Sequence, residues 1–222
     1  MPNSATASLG FAHFIGQSDT VSKLLLLTLL VMSVLTWTII LNRVVAGRGL
    51  RIAMRRALDG MRNTTHANAL PVLAEAADGG DPFQRLTATA LAVTAPAANV
   101  SGLSYAEILT RSMRNCINEE TTTMETGLAT LASIASSAPF VGLFGTVWGV
   151  YHALVNIGMS GQGTLDKVAG PVGEALLMTA VGLAVAIPAT LAYNTFVRRN
   201  RLILTKLNSY AHDVFALLAG KA

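Results

Sequence analysis

The 222 residues contain one cysteine, Cys116, so neither an intrachain disulfide nor a multi-cysteine zinc site can form; it reads as a small buried residue. Charge is scarce as well, with 13% charged residues against roughly a quarter in soluble domains. The histidines His13, His66, His152 and His212 are scattered. There is no Gly-x-x-x-x-Gly-Lys phosphate loop, no His-Glu-x-x-His metal helix and no Gly-x-Ser-x-Gly nucleophile turn. The chain is therefore not expected to be an enzyme, or to hold a metal or cofactor. No internal repeat is visible, which disfavours a transporter built from inverted repeats. What is present is apolar: 52% of residues, with a mean hydropathy of +0.50. That excludes disorder and suits a membrane protein. The net charge of +4 fits either nucleic acid or a cytoplasmic membrane face, and the distribution of charges decides for the membrane.

Three uncharged stretches organise the chain. Leu24 to Leu41 is an almost unbroken run of 18 apolar residues, the length needed to cross hydrocarbon at about 1.5 Å per residue. The tail before it lacks the basic start of a cleaved signal peptide, so this first span is expected to stay. Thr126 to Leu165 is uncharged and ends among Gly158, Gly161 and Gly163. Val168 to Val197 carries one charge, Glu174, and the Gly170-Pro171 pair is a plausible helix start. The expected fold is all-α and membrane-integral, with spans at 23–42, 126–157 and 170–197 and long helices extending into the cytoplasm. A tail covers 1–22, a helical domain 43–125, a turn 158–169 and a second tail 198–222.

Basic residues set the orientation. Arg43, Arg48, Arg51, Arg55, Arg56 and Arg62 follow the first span, and Arg198, Arg199, Arg201 and Lys206 follow the third. The connection between spans two and three has only Asp166 and Lys167. Lys and Arg are retained in the cytoplasm, so the N-terminus is expected outside and the C-terminus inside. Trp37 then belongs near the inner interface, and Trp148 with Tyr151 near the outer one. In the cytoplasmic segment, Asp78-Gly79-Gly80-Asp81-Pro82 reads as a turn between helices. Ile52, Leu58 and Met61 are compatible with one helical face, while the arginines around them either fix topology or pair with anionic lipid heads.

A lone carboxylate within an apolar stretch costs about 2.5–3.5 kcal/mol on insertion scales. Glu174 is therefore either close enough to the outer surface to stay hydrated or a proton carrier whose desolvated carboxyl exchanges protons between wetter and drier surroundings. Measured from Glu125 and Arg198 as a common inner floor, Thr146 stands about 32 Å up, Glu174 about 36 Å and Thr179 about 29 Å. One layer can hold all three, although Glu174 and Thr179 are about 140° apart around an ideal helix. The threonine hydroxyls can relay a proton through water or bond to the preceding turn of their own helix. Thr126, Thr130, Ser133 and Ser137 form a polar stripe that either lines a wet path or joins helices. Gly145-x-x-x-Gly149 and Gly182-x-x-x-Ala186 permit close helix packing. Pro139 and Pro188 leave the carbonyls of Ala135 and Ala184 without their usual helical partners, so both helices are expected to face protein for much of their length.

The segments Ala138-Pro139-Phe140-Val141-Gly142-Leu143-Phe144-Gly145-Thr146-Val147-Trp148-Gly149 and Gly173-Glu174-Ala175-Leu176-Leu177-Met178-Thr179-Ala180-Val181-Gly182-Leu183 closely resemble the ExbB/TolQ family, distant relatives of the flagellar stator MotA. The resemblance covers roughly Gly127 to Asn200; the segment from Arg43 to Glu125 carries no signature. It implies that Thr146, Glu174 and Thr179 line a transmembrane pore in a homopentamer of the bacterial inner membrane. It also implies a small single-span partner, ExbD or TolR, inside that pore and supplying an essential aspartate. Proton flow would drive motion transmitted to TonB, for uptake through outer-membrane receptors, or to TolA, for envelope maintenance. Tyr151-His152-Ala153-Leu154 followed by Ile157-Gly158-x-Ser160-Gly161-Gln162 looks like the ExbB branch. A passive scaffold for the ExbD-type partner is the alternative of a different class.

Overall fold

The computed structural model describes residues 19–62, 70, 81–94, 104–160 and 165–219; within these, the side chains at 48, 51, 53, 62, 160, 165–171 and 174 lie outside the description. Among the described residues the regular elements are five α-helices: α1 Thr20–Arg62, α2 Pro82–Val93, α3 Tyr105–Glu125, α4 Leu128–Ser160 and α5 Leu165–Ala219. Among the described residues, three helices are long and apolar enough to cross a membrane. The chain divides into two units, Met1–Ile40 with Ala129–Asn194, and Leu41–Leu128 with Thr195–Ala222.

Local chemistry sets the helix ends. Asp19 precedes α1, its carboxylate accepting from Thr20 N at 2.7 Å and its carbonyl from Lys23 N at 3.0 Å. Asp81 caps α2 by accepting from Phe83 N at 3.1 Å, with Pro82 in the first turn, where its missing N–H costs nothing. Ser104 and Glu107 form a reciprocal capping box on α3. Gly127, at φ 79°, then takes the left-handed backbone that side-chain-bearing residues avoid, and separates α3 from α4. The Asp78–Pro82 turn falls largely outside the described residues.

The second unit has an ordinary apolar core. On α5, Ile203, Leu207, Tyr210, Val214 and Leu218 are buried at spacings of three and four, one face of a helix. Of these, Leu207, Tyr210, Val214 and Leu218 pack with Phe83, Leu86 and Ala90 of α2 and Leu109, Met113 and Cys116 of α3. Each fully buried large apolar side chain is worth about 1.5–3 kcal/mol. Phe83 meets Tyr210 edge to face at 5.3 Å, and the Tyr210 hydroxyl is 2.7 Å from Thr87 Oγ1. The α1 face that joins this core is Met54, Ala57, Leu58 and Met61. Ile52 does not belong to it: the residue is exposed, because it lies about 200° around the helix from Met54.

Salt bridging in the second unit centres on Arg85, whose Nε and Nη2 lie 2.7 and 2.9 Å from the two carboxylate oxygens of Glu120. The Glu120 side chain is 5% exposed. Burial pushes its pKa above the ordinary value against the opposing pull of Arg85, with Asp81 and Glu119 adding to the rise.

Candidate functional site

In the first unit α4 and α5 meet along glycines. A methyl group built at Gly142 would stand 2.7 Å from Met178 O and 3.2 Å from Gly182 Cα. One at Gly182 would stand 2.7 Å from Ala138 O. At Gly145 the nearest atom is Met178 Cε at 2.9 Å, and at Gly149 it is Ala175 Cβ at 2.9 Å. Gly142, Gly145 and Gly149 thus form a seam at spacings of three and four, allowing the backbones to approach closely. Sequence reasoning named Gly145, Gly149 and Gly182 but passed over Gly142, whose spacing was the available signal.

The seam fixes the register. Gly145 lies against Met178 and Gly149 against Ala175, so the backbone of Thr146 falls in the interval they bound. Glu174 is one residue beyond Ala175, and Thr179 one residue beyond Met178. Glu174 and Thr179 are five residues apart, about 7.5 Å along α5. The backbones of all three positions thus fall along the same stretch of the α4–α5 seam.

Thr146 is 9% exposed, and its hydroxyl donates to Leu143 O at 2.7 Å, which leaves the oxygen free to accept. Thr179 is half-buried. Glu174 stands on α5, and its side chain lies outside the described part. Thr130 and Ser133 are exposed in the single chain, whereas Ser137 is half-buried and donates to Ser133 O at 2.6 Å. The stripe is thus divided: Ser137 spends its proton within α4, while Thr130 and Ser133 face outward. Many of the outward side chains of both helices are apolar, with Phe140, Leu143, Phe144 and Val147 exposed on α4 and Leu176, Leu183, Ile187 and Leu191 on α5. Contiguous apolar surface of this extent belongs against lipid or other chains.

A further polar cluster went unread in the sequence. Trp148 Nε1 donates to Asp19 Oδ2 at 3.2 Å, and His152 Nε2 lies 4.0 Å from the same oxygen. The Trp148 and His152 rings are 4.5 Å apart. Asp19 has a lowered pKa, first because Thr20 N–H donates to it and then because of Trp148. The cluster ties the start of α1 to the C-terminal half of α4, as antiparallel spans require. On α1, Thr36 is fully buried and its hydroxyl oxygen has no hydrogen-bond partner among the described residues. Among the described residues, no group of three His, Cys, Asp or Glu side chains is placed to hold a metal.

A model of the MotA/TolQ/ExbB proton channel family matches residues 82–209, which include the glycine seam and all three layer positions. A biopolymer transport protein ExbB from Xanthomonas campestris is 34% identical, over 98% of this chain and 92% of its own length. The protein of the same name from Neisseria meningitidis is 38% identical over 86% and 88%. A Tol-Pal system protein TolQ from Pseudomonas aeruginosa is 32% identical over 93% and 91%.

Proposed function

Because the chain belongs to the MotA/TolQ/ExbB proton channel family, we propose that it is the multi-pass subunit of an inner-membrane energising complex that uses the proton motive force to drive TonB-dependent uptake. Glu174 carries the proton. Thr146 and Thr179 supply hydroxyls on either side of a short water relay, and Thr130 and Ser133 extend the polar lining toward the cytoplasm. The complex is a homopentamer around an ExbD-like single-span protein. The N-terminus is periplasmic and the C-terminus cytoplasmic, as the basic residues after the first and third spans favour.

The observation that carries this reading is the register of the α4–α5 seam, which supports a common layer for Glu174, Thr146 and Thr179. Desolvation favours the neutral form of a carboxyl group, which is what allows a carboxyl at membrane depth to take and release protons. A gradient supplies about 2.3 kcal/mol per charge per 100 mV, which meets the need for energy in a chain without a phosphate loop. The TolQ relative at 32% identity keeps a Tol-Pal subunit as the second reading. Complementation separates the two: restored TonB-dependent uptake supports the first, and restored envelope integrity the second.

Glu174→Gln preserves size and removes proton exchange. The expected result is an assembled complex without energised uptake. Wild-type uptake by a correctly assembled variant overturns the motor reading in favour of a passive scaffold.

A further inference from the structure

At the inner edge of the spans, in the second unit, three side chains donate to backbone carbonyls of neighbouring helices. Arg43 of α1 donates from Nη1 to Met124 O at 2.6 Å and from Nη2 to Thr126 O. Asn200 of α5, 9% exposed, donates from Nδ2 to the same Met124 carbonyl. Arg199 of α5 donates from Nη2 to Gly47 O of α1, and a Cβ at Gly47 would overlap its guanidinium. The three contacts join α1 to α3, α3 to α5 and α5 to α1.

The acceptors are not arbitrary. A helix that ends leaves its last carbonyls without intrahelical partners, and α3 ends because Gly127 turns left-handed. A cation at that end also meets the negative pole of the helix. Arg43 places both terminal nitrogens on the break, and charge-assisted bonds of this kind are stronger than neutral ones. Arg198 and Arg201, beside the bonded pair on α5, are exposed. Arginines at one membrane edge therefore divide into those turned outward and those committed to backbone.

We propose that Arg43, Arg199 and Asn200 are positioning residues, forming a collar that locks the Gly127 break so that displacement of α4 or α5 reaches α1 and α3 instead of being absorbed in the break. This rests on the motor reading above. The collar acts through the backbone and handles no proton itself.

The test uses the full chain coexpressed with its single-span partner and reconstituted in nanodiscs. Arg43→Lys keeps the charge but loses the two-carbonyl fork. Asn200→Asp keeps the volume but removes the donor. Gly47→Ala displaces the Arg199 guanidinium without altering a donor. Hydrogen exchange at the amides of 127–131 is expected to quicken by about five-fold on loss of one bond, with less uptake per proton translocated and unchanged assembly. Unchanged exchange in all three variants overturns the collar. Faster exchange with wild-type uptake per proton overturns the positioning role. Exchange in Arg43→Lys that follows the anionic lipid content of the disc assigns Arg43 to lipid phosphate and overturns the proposal as well. Failure of the motor reading shows separately, as a wild-type complex that moves no protons; the positioning role then falls, while the exchange data still report on the joint.

Discussion

Gly142→Ala isolates the contribution of the α4–α5 seam. The added methyl group meets Met178 O at 2.7 Å and Thr179 Cα at 3.1 Å, both backbone atoms that cannot rotate aside. A relaxed carbon–oxygen contact needs about 3.3 Å, so the helices must part locally by about 0.6 Å. Overpacking of this kind costs about 1–3 kcal/mol, and the better helix propensity of alanine returns about 1 kcal/mol. Gly158→Ala is the reference, since nothing lies within 4 Å of a Cβ there and only the propensity gain applies. The difference between the two variants is therefore about 1–3 kcal/mol, with Gly142→Ala the less stable. Gly145→Ala falls between, because its nearest neighbour is the mobile end of Met178. Reversible unfolding of the three variants in mixed micelles measures this order. A Gly142→Ala protein as stable as Gly158→Ala refutes the seam and the register drawn from it.

Other consequences concern the second unit. Arg85→Ala leaves the buried Glu120 carboxylate unpaired; because Arg85 is itself 46% exposed, the loss is about 1–3 kcal/mol, less than for a fully buried pair, read from thermal melts of the full chain. Glu120 and Asp81 both have folded pKa values above their ordinary ones, so the native state retains protons that the unfolded chain has released. Their contribution is most favourable below the ordinary values of 4.5 and 3.8 and declines as pH rises through the folded ones. Glu120→Gln should flatten that decline in melts taken upward from the ordinary carboxylate value, and a curve parallel to wild type refutes the assignment. Tyr210→Phe should cost about 0.5–1.5 kcal/mol, because Thr87 keeps its bond to Phe83 O at 2.9 Å and loses only the tyrosine hydroxyl. Tyr210→Ala also loses the contact with Phe83 and should cost about 3–5 kcal/mol.

The apolar runs made the three membrane-crossing helices legible, since hydrocarbon thickness sets both length and composition. The heights of Thr146, Glu174 and Thr179 along their helices can be read from the sequence because every α-helix rises equally per residue, whereas the direction in which each side chain turns cannot. What the runs hide is where helices stop. The charge at Arg43 ends the apolar stretch but not α1, whose next turns are held by Met54, Ala57 and Leu58 against a core assembled from distant segments. α5 likewise begins at Leu165, ahead of the Gly170-Pro171 pair, and ends at Ala219. The break at Gly127 was concealed for the opposite reason: a glycine at the edge of a long uncharged run does not announce its φ. The donors that answer the break, Arg43 and Asn200, are far from it in sequence and carry no motif.

Infrared difference spectroscopy of the reconstituted complex during a pH step, with Glu174→Gln as the control, reads the protonation of Glu174 itself. A protonated-carboxyl band that appears and disappears with the step, and is absent from the variant, is the expected result. A Glu174 carboxylate that stays ionised throughout, in a complex that nonetheless drives uptake, contradicts it.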